Sequence, residues 1–277
     1  MLGCRALPGG PSRAATLGAP AGRIAALGAT TDLHHGLLVV TPAVLELNGI
    51  SKDYRGLRPL RIAELRVAAG EHVAILGLDR AAAEVFVNLA TGATLPDAGQ
   101  VRVLGRPTSA ITDGADWLAT VDRFGIVSSR AVLLDRLTVI QNLAMPFTLD
   151  IEPPPDDVRA RAEMLAREVC LPESSWTRPV AALEATAALR VRFGRAIALD
   201  PAVLLLEHVS GVVGRDEVAG LGAEMRAVAA RRGAALVAAT TDEAFAHAVA
   251  ARVLTLEPAT GRLKEGPRRR WFGGGLG

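Results

Sequence analysis

A chain of 277 residues, half of them hydrophobic, carries enough apolar side chain for one large α/β domain or two small ones. Aromatics make up only 4% of it, so the core is expected to be built from Val, Leu, Ile and Ala. A formal net charge of +2 supplies no broad basic field for a phosphate backbone, which excludes a general nucleic-acid binder.

The first 44 residues are rich in Ala, Gly and Pro, with scattered arginines (Arg5, Arg13, Arg23). Gly9, Gly10, Pro11 and Gly18 break any apolar core that a secretory signal would need. A transit peptide fits the arginines and the near-absence of acids, but a disordered extension outside the fold is the expectation. Residues 44–50 (VLELNGI) alternate apolar and polar as a half-buried strand does. A turn-rich stretch at 51–59 follows, then a second alternating strand from residue 60 to the turn at Gly70. Residues 72–86 (HVAILGLDRAAAEVF) read as a buried strand, a tight turn at Gly77 and a helix opening near Asp79. Turn formers crowd 91–100, and 101–105 (VRVLG) is a short strand, so two antiparallel strand pairs are expected to flank the buried one.

Residues 124–128 (FGIVS) form the next buried strand, and a polar, helical region begins at Arg130. The prolines of 151–157 (IEPPPDD) stop one helix, and Asp156 and Asp157 are placed to cap the next. Cys170, in that helix, lies far from Cys4 and neither belongs to a CxxC pair. Neither a disulfide framework nor a zinc site is therefore expected, and a reducing cytoplasm is the default. Residues 183–201 give a further helix closed by Pro201, and 202–207 (AVLLLE) a fully apolar strand suited to the centre of a parallel sheet. A helix over about 217–232, a strand at 235–240, a helix at 242–251 and a strand at 252–257 complete the run. Strand–helix repetition from residue 71 onward, with one long helical insertion, predicts a mainly parallel α/β sheet. Residues 263–277 read as a basic flexible tail. No apolar run approaches the ~20 residues of a bilayer span, so membrane contact is expected through a partner.

A strand running through a tight loop into a helix N-terminus is how P-loop proteins cradle phosphate. Such a loop reads GxxxxGK followed by Ser or Thr, with the lysine on the phosphates and the hydroxyl on magnesium. Over Gly77, Leu78, Asp79, Arg80, Ala81, Ala82, Ala83 and Glu84 only the first glycine survives. Ala82 replaces the second glycine, Ala83 the lysine and Glu84 the hydroxyl. One reading is a weak cradle of backbone amides plus Arg80. The other, favoured here, is a structural turn whose N-cap Asp79 sets its own carboxylate where phosphate would lie, worth ~1 kcal/mol as a cap.

The order of elements, with that insertion, resembles the nucleotide-binding subunits of ATP-binding cassette (ABC) transporters. Residues 45–56 (LELNGISKDYRG) look like the family's first strand and its adenine-stacking aromatic, here Tyr54. Residues 68–77 lead into the loop as in the family, and 93–107 (ATLPDAGQVRVLGRP) resemble its post-helix stretch. Residues 135–146 are similar to the segment after its glutamine loop, and 190–207 to the run from signature helix to Walker B strand. The resemblance implies a P-loop NTPase fold of ABC type over 45–262, with a small antiparallel β subdomain and a helical subdomain at about 130–195. It also implies ATP and magnesium as cofactors, a transmembrane permease as partner, and a homodimer or a heterodimer with a second ABC subunit. The expected place is the inner face of the cell membrane.

The departures from the family's pattern are systematic. Its signature LSGGQ is LEATA here, with Glu184, Ala185 and Thr186 at the positions that grip the phosphate on the opposing subunit. Glu184 brings a carboxylate there, and like charges ~4 Å apart in a partly dry site cost a few kcal/mol. The magnesium-sensing glutamine falls at Ser129, the Walker B aspartate at Glu207, the catalytic glutamate at His208 and the switch histidine at Thr241. Glu207 keeps a possible magnesium ligand, and His208 a base less committed at neutral pH than a carboxylate. The expectation is a degenerate subunit that docks to a permease with weak or absent hydrolysis. The alternatives are a divergent working ATPase and a soluble interaction module.

Overall fold

The computed structural model describes residues 42–266. The expected extension over 1–44 and the tail over 263–277 therefore lie mostly outside the described residues. Where they enter, both are in strands: β1 spans Ala43–Lys52 and β10 spans Arg262–Glu265.

Two sheets make the frame. In the first, β1 pairs antiparallel with β2 (Leu60–Ala68) and with β4 (Ala98–Val103), and β4 with β5 (Arg106–Pro107), in the order β2-β1-β4-β5. The register sets Leu47 opposite Leu65 and Val101, so one face of the sheet is a continuous apolar layer. Both antiparallel pairings expected from the sequence thus share β1 in one separate sheet and do not flank the central strand. The second sheet is parallel through β9 (Arg252–Glu257), β3 (His72–Leu76), β8 (Ala235–Thr240), β7 (Val203–Glu207) and β6 (Phe124–Val127), with β10 antiparallel on the edge beside β9.

Strands of this second sheet are apolar on both sides because both sides are covered. On β7, Val203 and Leu205 join the core shared with the first sheet, while Leu204 and Leu206 face the helical side. β3 divides the same way, with Val73 and Ile75 against Ala74. The first core also takes the buried face of α1 (Arg80–Ala90): Ala82, Ala83, Phe86, Val87, Leu89 and Ala90. Each fully buried Val, Leu, Ile or Phe contributes ~1.5–3 kcal/mol on transfer from water.

Outside the sheets lie α2 (Gly114–Val121), absent from the sequence reading, and three helices between β6 and β7. These are α3 (Val139–Ala144), α4 (Asp156–Glu168) and α5 (Ala185–Ile197). The helix expected to begin at Arg130 starts only at α3, where Thr138 and Gln141 form a reciprocal capping box. Pro155, and not an aspartate, occupies the N-cap of α4. Asp156 and Asp157 sit in the first turn, where they complement the helix dipole without a capping bond. α6 (Val218–Arg231) and α7 (Glu243–Val249) complete the helical side. No helix among the described residues is long and apolar enough to cross a membrane.

Candidate functional site

The carboxyl ends of β3, β7 and β8 point the same way, and the loops leaving them meet at the crevice where open α/β sheets bind ligands. After β3 the chain turns at Gly77, whose φ of +93° lies in the region that favours glycine. A β-carbon there would also come within 3.0 Å of the Leu256 carbonyl oxygen, so two independent constraints hold this glycine. Leu78 is fully buried and anchors the turn in the core. Asp79 is the N-cap of α1: its Oδ1 accepts the Ala82 N–H at 2.7 Å and its backbone carbonyl accepts the Ala83 N–H at 2.8 Å. A cradle amide that would face phosphate is thus spent on the chain's own carboxylate.

Arg80 and Ala81 are exposed in the first turn. Arg80 forms no hydrogen bond or ion pair among the described residues and leans toward the loop after β7, where a β-carbon on Gly211 would lie 3.8 Å from its Nη2. Ala83, at the lysine position, is 0% exposed and packed in the core. Tyr54, at the position of the family's adenine-stacking aromatic, is partly buried against the same core. Burial, and after it the charge of Asp79, push its phenol above the ordinary value.

Glu84 and Glu207 are brought together by a residue that the sequence reading missed. Arg130 donates from Nη1 to Glu84 Oε1 at 2.9 Å and from Nη2 to Glu207 Oε2 at 2.6 Å. Glu207 ends β7 and is only 7% exposed, so its carboxylate needs a cation or donors nearby. Ser129 is exposed and forms no hydrogen bond among the described residues. The next residue enters the site in its stead.

His208 follows in the left-handed region (φ +46°), its N–H donating to the Ala239 carbonyl at 2.9 Å. That backbone twist leaves the imidazole half-buried, with Nε2 lacking a hydrogen-bond partner among the described residues. On β8 the hydroxyl of Thr240 faces inward, 3.2 Å from Ser210 Oγ, and accepts the Asp242 N–H at 3.1 Å; Thr241 itself is exposed. Glu184 is the N-cap of α5 without a side-chain capping bond, Ala185 is exposed, and Thr186 Oγ1 lies 3.3 Å from Glu217 Oε2. Among the described residues no hydrogen bond or ion pair joins 184–186 to the turn after β3 or to Glu207.

Magnesium takes oxygen ligands in near-octahedral geometry at about 2.0–2.1 Å and keeps several waters. Here the two candidate carboxylates, Glu84 at the hydroxyl position and Glu207, are both engaged by one guanidinium. The residues present do not fit the metal. Nor does any group of three or more His, Cys, Asp and Glu suited to a metal ion occur among the described residues.

No family model matches the chain. Over 229 residues it is 28% identical to the lipoprotein-releasing system ATP-binding protein LolD of Chromohalobacter salexigens, covering 80% of this chain and 93% of that protein. Over 201 residues it is 34% identical to the molybdenum import ATP-binding protein ModC of Mycobacterium tuberculosis, covering 71% of this chain and 54% of that one. The chain thus spans about half the length of ModC. The dimeric structure of MJ0796, described as a bacterial ABC transporter cassette, superposes with a TM-score of 0.68 at 22% identity, over 81% of this chain and 99% of that one.

Proposed function

Since the chain belongs to the family of ABC transporter ATP-binding subunits, we propose that it serves as a degenerate member of that family. It docks to a membrane permease and hydrolyses ATP weakly or not at all. One observation carries the reading: Asp79 holds the Ala82 amide at 2.7 Å while a fully buried alanine stands in place of the phosphate-binding lysine. Phosphoryl transfer by P-loop enzymes depends almost entirely on positioning and on charge stabilisation of the transferring group. In this loop a fixed negative charge replaces a fixed positive one. The exposed Glu184 and Ala185 leave the same deficit in the surface offered to a partner cassette.

What remains suits docking. A crevice of about 370 Å³ opens between β6 and α5, lined by Phe124, Met145, Pro146, Arg192, Arg195 and Leu199. It joins the sheet to the helical segment, as a surface receiving a permease loop should. The chain then works at the inner face of the cell membrane, as a homodimer or paired with a second, intact cassette. Its role is structural or regulatory. A divergent ATPase is the second reading, favoured by the unpartnered Nε2 of His208 as a base.

Titration of the purified protein with MgATP, with turnover measured alongside, tests the proposal. The wild type is expected to turn over at background, and Ala83→Lys/Glu84→Ser to gain nucleotide affinity. Tight wild-type binding with measurable turnover would establish the divergent ATPase instead.

A further inference from the structure

We propose that Arg130 is the resident cation of this site, seated between the two carboxylates where a divalent metal would otherwise be sought, so that the site takes no metal ion. The inference rests on the ABC-type reading of the loop but not on the loss of turnover.

The arrangement is built, not a chance surface pair. Its two acids come from different elements, Glu84 from the second turn of α1 and Glu207 from the end of β7, and a single guanidinium meets both at 2.9 and 2.6 Å. The backbone around Arg130 is fixed from two sides. Its N–H donates to the buried Ser128 Oγ at 2.9 Å, and the Ala131 N–H closes a turn on the Ser128 carbonyl at 3.2 Å. From α5, Arg192 Nε donates to the Ala131 carbonyl at 3.0 Å and Arg195 Nη1 to that of Val132 at 2.7 Å. The loop therefore delivers the guanidinium to a defined place.

Charge decides what the place accepts. Two carboxylates and one guanidinium leave a single negative charge, spread over a buried and a half-buried acid. A divalent ion brought to the same carboxylates meets the guanidinium as a like charge a few ångströms away and competes with it for Glu84 Oε1 and Glu207 Oε2. Removing the guanidinium reverses the balance. Glu207, 7% exposed, is then left beside Glu84 with no cation, and two carboxylates within reach of one guanidinium are a pair of hard oxygen ligands. The acid at the hydroxyl position is on this account a partner of Arg130 and not a lost ligand.

Manganese(II), added as the chloride to the full chain without nucleotide and followed by loss of its free-ion paramagnetic resonance signal, tests the proposal. Wild type is expected to bind no ion that Glu207→Gln abolishes. Arg130→Gln is expected to gain one equivalent, at least tenfold tighter than wild type, and Arg130→Gln/Glu207→Gln to lose it. A stoichiometric manganese site in the wild type, removed by Glu207→Gln, would overturn the inference. So would a folded Arg130→Gln that binds no more manganese than wild type. The wild-type arm stands even if that variant fails to fold. Turnover plays no part in either readout, so an active enzyme without a metal here would refute the proposed function and leave this inference intact.

Discussion

Asp79→Ala and Asp79→Asn separate two roles of one carboxylate. Its Oδ1 accepts the Ala82 N–H at 2.7 Å, so alanine removes the N-terminal side-chain cap of an 11-residue helix. The cost is ~1 kcal/mol, within ~0.5–2 for such replacements. In a domain of this size that lowers Tm by ~2–4 °C per kcal/mol. Asparagine retains an acceptor and loses only the charge–dipole part, ~0.3–1 kcal/mol. Both variants remove the negative charge from the turn, and alanine also frees the Ala82 N–H. Inorganic pyrophosphate should therefore raise the Tm of both and leave the wild type unmoved. A ligand at 100 times its Kd stabilises by about 2.7 kcal/mol, more than the lost cap.

The single tyrosine of the chain supplies a second readout. Tyr54 titrates above its ordinary value first because it is buried and then because Asp79 is near. Asp79→Asn removes only the smaller cause, so the phenolate absorbance of the folded protein should appear at lower pH, part of the way back to normal. Two results would refute the reasoning. One is pyrophosphate stabilising wild type as much as Asp79→Asn; the other is a Tyr54 titration that the asparagine leaves unmoved.

Two further predictions concern the frame around the site. A β-carbon added at Gly125 would lie 2.3 Å from the Ala196 carbonyl oxygen and 2.6 Å from Leu204 Cδ2, so Gly125→Ala must push β6 and α5 apart. Overpacking of this kind costs ~1–3 kcal/mol, read as a lower urea midpoint. Burial, with Arg226 adding to it, holds His72 below its ordinary 6.5 despite a hydrogen bond to the Ala234 backbone. The unfolded chain then binds the extra proton, so this contribution to stability is present above pH 6.5 and is lost as pH falls toward the depressed folded value. Urea melts at neutral and mildly acid pH should show that slope in the wild type and a flatter one in His72→Gln.

The frame was legible in the sequence wherever burial imposed a period. The unbroken apolar run of 203–206 required cover on both faces, and β7 has it, although β6 lies outside it and it is not the middle strand. The turn at Gly77 and the cap at Asp79 were equally plain, because each depends on a residue's own backbone chemistry. Elements set by local competition were less so. Residues 130–138 contain helix formers, but their carbonyls are held by Arg192, Arg195 and Asn142, and the helix starts only where Thr138 and Gln141 cap each other. That T-x-x-Q spacing was a usable signal. Proline at 155, with its fixed φ, leads into α4 more readily than the aspartates that follow it.

The site was read position by position, and that is why its central contact escaped. Against a phosphate-loop pattern, Glu84 is a missing hydroxyl, Ser129 a missing amide and Glu207 a lengthened aspartate, three separate losses. None of these comparisons registers Arg130, which matches no motif position. The bond that joins them spans 46 residues to Glu84 and 77 to Glu207, beyond any local spacing rule. Electrostatics offered another route. An acid gained at a loop that normally carries a lysine, facing a second acid at the end of a buried strand, cannot persist uncompensated in a partly dry crevice. A base must enter from a neighbouring loop. Arg80 lies within the loop and Arg130 directly follows Ser129, and Arg80, in the first turn of α1, leans instead toward Gly211. Read as a charge balance, the same substitutions that spell decay of one site describe the assembly of another.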